Sequence, residues 1–400
     1  MGVLRRFRGM ATVAILAMAT YAASNLTTSE AAPAAARPQH VFIIVLENEG
    51  YDITFGRNSP AVYLKELAQQ GALLRNYYGI GHFSLDNYIA MVSGQAPNPV
   101  TQSDCQDHVD FVQTGTASDG QAIGQGCVYP SGVSTLVNQL QAKQLTWKGY
   151  MEDMGNDPGR ERATCGQPVK INPDGTQRAQ QGDQYAARHN PFVYFHAIVD
   201  DVPGCAAHVV NLAALAADLK DIGTTPNYAF ITPNLCNDGH DQPCVGHRSD
   251  GEPSGLAAAD RFLKQYVPMI LASPAFKQDG LLIVTFDEAD IDIADEAKET
   301  FKGDASACCR EQPGPNITPG ATVFGHPDHG PGIVGPGGGR IGAVLVSPFI
   351  KPGTVSSTPY NHYALLRSIE DFFAVAYLGY AGQRGLKSFG RDIFNKPRRE

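Results

Sequence analysis

The chain carries no G-x-S-x-G elbow and no H-E-x-x-H run, which excludes two common hydrolase signatures. None of its eight cysteines sits in a C-x-x-C pair, so a zinc knuckle is not expected. Positive charge is scarce: 31 Lys and Arg stand against 40 Asp and Glu, a formal net charge of -9. So acidic a chain has no electrostatic footprint for nucleic acid or anionic membranes. No second long apolar run follows the amino-terminal one, so no integral membrane segment is expected after signal cleavage. There are no internal repeats. GPGIVG at 330–335 has dinucleotide-loop spacing, but it follows a loop and contains Pro331, so it is set aside.

What is present describes an exported α/β protein. Arg5, Arg6 and Arg8 precede an apolar stretch from Ala11 to Ala23, and small residues cluster at Ala31, Ala32 and Ala34 to Ala36. That order reads as a signal peptide over 1–32, a linker over 33–39 and one domain over 40–395, secreted, periplasmic or cell-wall associated. An even number of cysteines in an exported chain favours disulfides. Pairing sequence neighbours joins Cys105 to Cys127, Cys165 to Cys205 and Cys236 to Cys244. Cys308 and Cys309 either bridge each other or find partners elsewhere.

Continuous apolar runs at HVFIIVLEN (40–48), NYAFITPN (227–234), GLLIVTFDE (280–288) and RIGAVLVSPFI (340–350) read as buried parallel strands. Helical periodicity marks 59–71, 259–273, with a kink expected at Pro268, and 362–379. Strands alternating with helices predict a mostly parallel central sheet covered on both faces. Residues 98–225 have weak periodicity and read as a disulfide-stapled insertion near the site. Residues 303–339, rich in Gly and Pro, read as loop.

Polar residues collect where the strands end, and there ligands bind in such sheets. Glu47 and Asn48 close the first strand, Asp287 and Glu288 a later one, and Asn234, Asp238, His240 and Asp241 follow another. Carboxylates gathered from neighbouring strands repel unless a cation lies between them. Oxygen-rich ligation by Glu47, Asn48, Asp287 and Glu288 suits a divalent ion, with Ca, Mg, Mn and Zn all compatible. In HFSLDNYIAMVSG (82–94), Leu85, Tyr88, Ile89 and Val92 recur at helical spacing, so a helix begins at or just after Ser84. A serine there is either an ordinary cap or a nucleophile helped by the helix dipole, with Asn87 one turn on.

HVFIIVLENEGYD, GIGHFSLDNYIAMVSG, ITPNLCNDGHD, LLIVTFDEAD and VSPFIKPGTVSSTPYNHYALLRSIEDFF, in that order, resemble the phosphoesterase family of bacterial phospholipases C and secreted acid phosphatases, a branch of the alkaline-phosphatase-like superfamily. The resemblance spans roughly 40–375. It implies a metal-dependent phosphoesterase of alkaline-phosphatase-like fold, with Ser84 as nucleophile and metal ligand and Asn87 on the phosphate. Glu47, Asn48, Asp287 and Glu288 become further metal ligands. His240 is the imidazole at the leaving group, and His82, Asp238 and His362 are candidates for a leaving-group or second metal site. The spacing in Asp238-Gly239-His240 departs from two-zinc relatives. His326 and His329 read as loop histidines, and His189 and His196 as flanks of an aromatic core segment. The expected substrate is a small phosphomonoester or phosphoinositide. The alternatives are a phospholipase C or other phosphodiesterase, and a non-catalytic secreted binding protein.

Overall fold

The strands form because their residues are apolar on both faces, and the topology follows from covering those faces. The computed structural model describes residues 37–245, 254–295, 300–317 and 337–396. The expected signal peptide, His326 and His329 lie outside them. The described residues belong to one compact unit, and no helix among them is long and apolar enough to cross a membrane.

The central sheet has eight strands: β1 (His40–Leu46), β2 (Ala72–Leu74), β3 (Trp147–Met151), β4 (Val209–Asn211), β5 (Tyr228–Thr232), β6 (Gly280–Phe286), β7 (Ala343–Val346) and β8 (Thr354–Ser356). Their spatial order is β8-β2-β7-β6-β1-β5-β3-β4. Every neighbouring pair is parallel except the two made by β7, which runs antiparallel to β2 and β6. The sequence reading had β7 parallel. A continuous apolar run reports burial on both faces but carries no sign of direction.

β1, β5 and β6 are buried along their whole length. Around the sheet lie α1 (Val62–Gln70), α2 (Ser84–Ser93), α3 (Leu136–Ala142), α4 (Leu256–Ala272, with Pro268 inside) and α5 (His362–Phe373). At the start of α5 the Asn361 side chain accepts the Ala364 N–H at 3.0 Å, a cap worth about 1 kcal/mol. α2 is buried along its whole length, so its polar residues must find partners inside the protein.

Residues 98–225 are not simply an insertion. They contribute β3 and β4, which extend the sheet past β5, and α3, which precedes β3. The segment WKGYM hides this because Lys148 and Gly149 break the apolar run, and β4 is three residues long. Four disulfides pair sequence neighbours: Cys105–Cys127, Cys165–Cys205, Cys236–Cys244 and the adjacent Cys308–Cys309.

Candidate active site

Register brings the acids together. Leu46 at the end of β1 pairs with Phe286 at the end of β6, so Glu47 and Asp287 leave the sheet side by side. The turn after β5 returns to the same edge, where the Glu47 N–H donates to the Asp238 carbonyl at 2.9 Å. Glu47, Asp238 and Asp287 are all fully buried. Burial first, then their mutual repulsion, lifts the Glu47 carboxyl well above the usual range, and burial lifts Asp238 and Asp287 as well.

α2 arrives with its amino terminus at this cluster. Ser84 Oγ donates to Glu47 Oε2 at 2.6 Å, and Tyr88 Oη, one turn on, donates to Glu47 Oε1 at 2.5 Å. Asp287 lies beside Glu47 and its charge helps raise the Glu47 carboxyl. Phe83, just before the helix, holds a φ of 72°, a conformation costly for a bulky residue. The loop behind it is tight: a Cβ on Gly81 would come within 2.4 Å of an Asp86 oxygen.

Other site residues expected from the sequence take supporting positions. Asn48 adopts φ 56° and donates its N–H to Asp287 Oδ1 at 3.0 Å. Asn87 has its amide nitrogen engaged by the Gly81 and Phe83 carbonyls at 3.0 and 3.1 Å and by Asp86 Oδ1 at 3.0 Å, while its oxygen accepts the Ile80 N–H. It braces the loop that presents Ser84, and no amide hydrogen is left for a phosphoryl oxygen. Glu288 pairs with His82 Nδ1. Burial raises the Glu288 carboxyl above its usual range and lowers the His82 imidazole below its own. His82 Nε2 then donates to the Asp304 carbonyl at 3.1 Å. His362 is buried beneath the site: Nε2 donates to the Asp287 carbonyl at 2.6 Å and Nδ1 accepts from Tyr77 at 3.1 Å. Burial pushes its pKa down to about 4. His240 lies at the rim, with Nδ1 on Asp241 at 2.8 Å and its N–H on Asp238 Oδ1 at 2.8 Å.

One member of the cluster was assigned to the core from sequence. His189 is buried in the short turn Ala187–His189, with Nε2 at 3.3 Å from Glu47 Oε2 and Nδ1 at 3.4 Å from Asp238 Oδ2. Its ring stacks on Tyr88, centroids 5.3 Å apart. Burial first, then the neighbouring Arg188, pushes its pKa well below the usual imidazole value. The available signal was a pair of polar residues, Arg188 and His189, opening an otherwise aromatic run.

Among the described residues no three His, Cys, Asp or Glu side chains are gathered into a ready ligand set. The donor chemistry nevertheless fits a hard cation. Glu47 and Asp287 supply adjacent carboxylates and Ser84 a hydroxyl. Asp287 Oδ2 and Asp238 Oδ2 are buried without hydrogen-bond partners. Glu288 has its Oε2 paired with His82.

The match to the family model for the phosphoesterase family covers residues 57–376. The chain belongs to the phosphoesterase family. The phosphate-repressible acid phosphatase of Penicillium chrysogenum is 28% identical to this family member over 229 residues, 57% of this chain and 43% of that one. A phosphatidylinositol-3-phosphatase of Mycobacterium tuberculosis is 22% identical over 380 residues, 94% of this chain and 92% of that one. The chain spans about half the length of the fungal acid phosphatases it matches. A solved structure of a Vibrio parahaemolyticus protein in the alkaline phosphatase superfamily aligns with a TM-score of 0.47 and 14% identity, over 89% of this chain and 72% of that one.

Proposed function

We propose that the protein is an exported phosphomonoesterase in which Ser84 attacks phosphorus and becomes phosphorylated. The observation that carries this reading is the 2.6 Å bond from the Ser84 hydroxyl to Glu47, made at the mouth of a buried helix and among acids from three strand ends.

Glu47 is placed to take the Ser84 proton as the oxygen attacks. Tyr88 holds the other Glu47 oxygen, so the acceptor keeps its orientation. Attack forms the Oγ–P bond and breaks the bond from phosphorus to the leaving oxygen, which takes a proton from His240 at the rim. Water then attacks the phosphoserine, releasing inorganic phosphate and restoring the hydroxyl. A divalent cation held by Glu47, Asn48, Ser84 and Asp287 would supply Lewis-acid charge against the phosphoryl oxygens. His362 and Asn87 serve by fixing Asp287 and the Ser84 loop. A phosphoinositide or another phosphomonoester fits this scheme, and the similarity to acid phosphatases and to a phosphatidylinositol-3-phosphatase supports it.

The test is turnover of p-nitrophenyl phosphate and bis-p-nitrophenyl phosphate by the purified mature protein, with and without chelator, beside Ser84→Ala. Monoester preference, loss on chelation that divalent ions restore, and an inert variant are expected. Diester preference would move the assignment to a phosphodiesterase. Inertness with every divalent ion would favour a binding protein.

A further inference from the structure

Arg160 and Arg188 are the buried cations among the described residues. Arg160 is absorbed by its surroundings: Nη1 lies 2.7 Å from Asp183, and its other nitrogens reach the Gly175 and Arg178 carbonyls. Arg188 is different. Its Nη1 donates to the Gln177 carbonyl at 2.7 Å, its Nε lies 3.7 Å from Asp104 Oδ2, and its Nη2 makes no hydrogen bond to a described residue. It adjoins His189 in sequence, and Glu47 and Asp238 both act on its charge.

Asp104 connects this cation to the nucleophile helix. Its other oxygen, Oδ1, accepts the Leu85 N–H at 3.0 Å. One carboxylate therefore ties the first turn of α2, next to Ser84, to the guanidinium. Asp104 itself is fixed by the Gln177 side chain on its carbonyl at 2.9 Å and by the disulfide of the next residue, Cys105. The arrangement ties a permanent positive charge to the first turn of the helix that carries Ser84. An anionic substrate approaching Glu47, Asp238 and Asp287 meets a strongly negative field, and a second negative charge on it makes the approach harder. A guanidinium with a free donor answers that second charge best, because it binds phosphoryl oxygens through directed N–H groups.

We infer that Arg188 is the specificity-determining residue of the site: it receives the non-bridging oxygens of a doubly charged phosphomonoester and so favours monoesters over diesters. Asp104 is the positioning residue that aims it. This inference rests on the phosphoesterase reading above and deepens it.

The experiment measures kcat/KM for p-nitrophenyl phosphate and for bis-p-nitrophenyl phosphate in the wild type, Arg188→Met and Arg188→Gln, using the metal-supplemented mature protein. Removing a charge-stabilising donor costs about 100-fold on the monoester, with less than about 5-fold on the diester. The monoester-to-diester ratio should therefore fall by more than about 10-fold. The Ki of inorganic phosphate should rise in parallel. A purely structural arginine would lower both substrates together. An unchanged ratio with an unchanged Ki in either soluble variant overturns the assignment. Should both neutral variants fail to fold, Arg188→Lys is read in the same way: it keeps the charge but loses the fork, so a weaker fall in the ratio supports the inference and an unchanged ratio overturns it. Failure of the underlying function is separate, since it would show as an inert wild type or an active Ser84→Ala.

Discussion

Tyr88 shows how one side chain was legible only in part. Its spacing with Leu85, Ile89 and Val92 marked it as an apolar face residue, and the ring is indeed fully buried. Sequence periodicity sees the ring and not the hydroxyl, whose 2.5 Å bond holds Glu47 opposite Ser84. Tyr88→Phe keeps the packing and removes that donor. A bond from a buried hydroxyl to a charged acceptor contributes about 1.5–3 kcal/mol, so activity on a phosphomonoester should fall about 10-fold or more. Steady-state kinetics beside circular dichroism checks this, and unchanged kcat would remove Tyr88 from the machinery. His189 was missed for a related reason. A histidine beside Asn190, Pro191 and Phe192 has core-like neighbours in the chain, while its functional neighbours, Glu47 and Asp238, lie far away in sequence.

At the scale of elements, continuous apolar runs marked β1, β5, β6 and β7, because a strand buried on both faces leaves an unbroken signature. The strands β2, β3, β4 and β8 lack it, and so their part in the sheet could not be read. The start of α2 at Ser84 and the start of α5 at His362 were both legible from periodicity. α5 also supplies a pH test remote from the site. Glu370, buried on that helix, accepts the Leu378 N–H at 2.8 Å. Burial raises its pKa from 4.5 to about 8. The folded state thus keeps a proton that the unfolded chain releases. Stability should fall as pH rises from the unfolded value to the folded one, and this contribution should be flat outside that window. Glu370→Gln keeps the acceptor and loses the titration. It should match the wild type near pH 4 and exceed it by about 1–3 kcal/mol at pH 8. Urea unfolding at both pH values decides this, and an equal gain at each would contradict it.

For the whole molecule, the essential property is convergence. A parallel sheet delivers Glu47, Asp238 and Asp287 to one edge because β1, β5 and β6 are adjacent and end together. The chain between β3 and β4 sends His189 to the same edge, with Arg188 adjoining it in sequence. The acidic strand ends were visible in the sequence, but which acids face inward was not. Glu288 was indistinguishable from Asp287 until the fold turned it onto His82. The most direct test of the account is whether the serine at this meeting point carries the phosphoryl group during turnover. Wild-type protein mixed with a phosphomonoester and quenched in acid should yield a phosphorylated peptide containing Ser84, seen by mass spectrometry, and Ser84→Ala should yield none and be inactive. Turnover by Ser84→Ala at the wild-type rate, or phosphate found on a different residue, would contradict it.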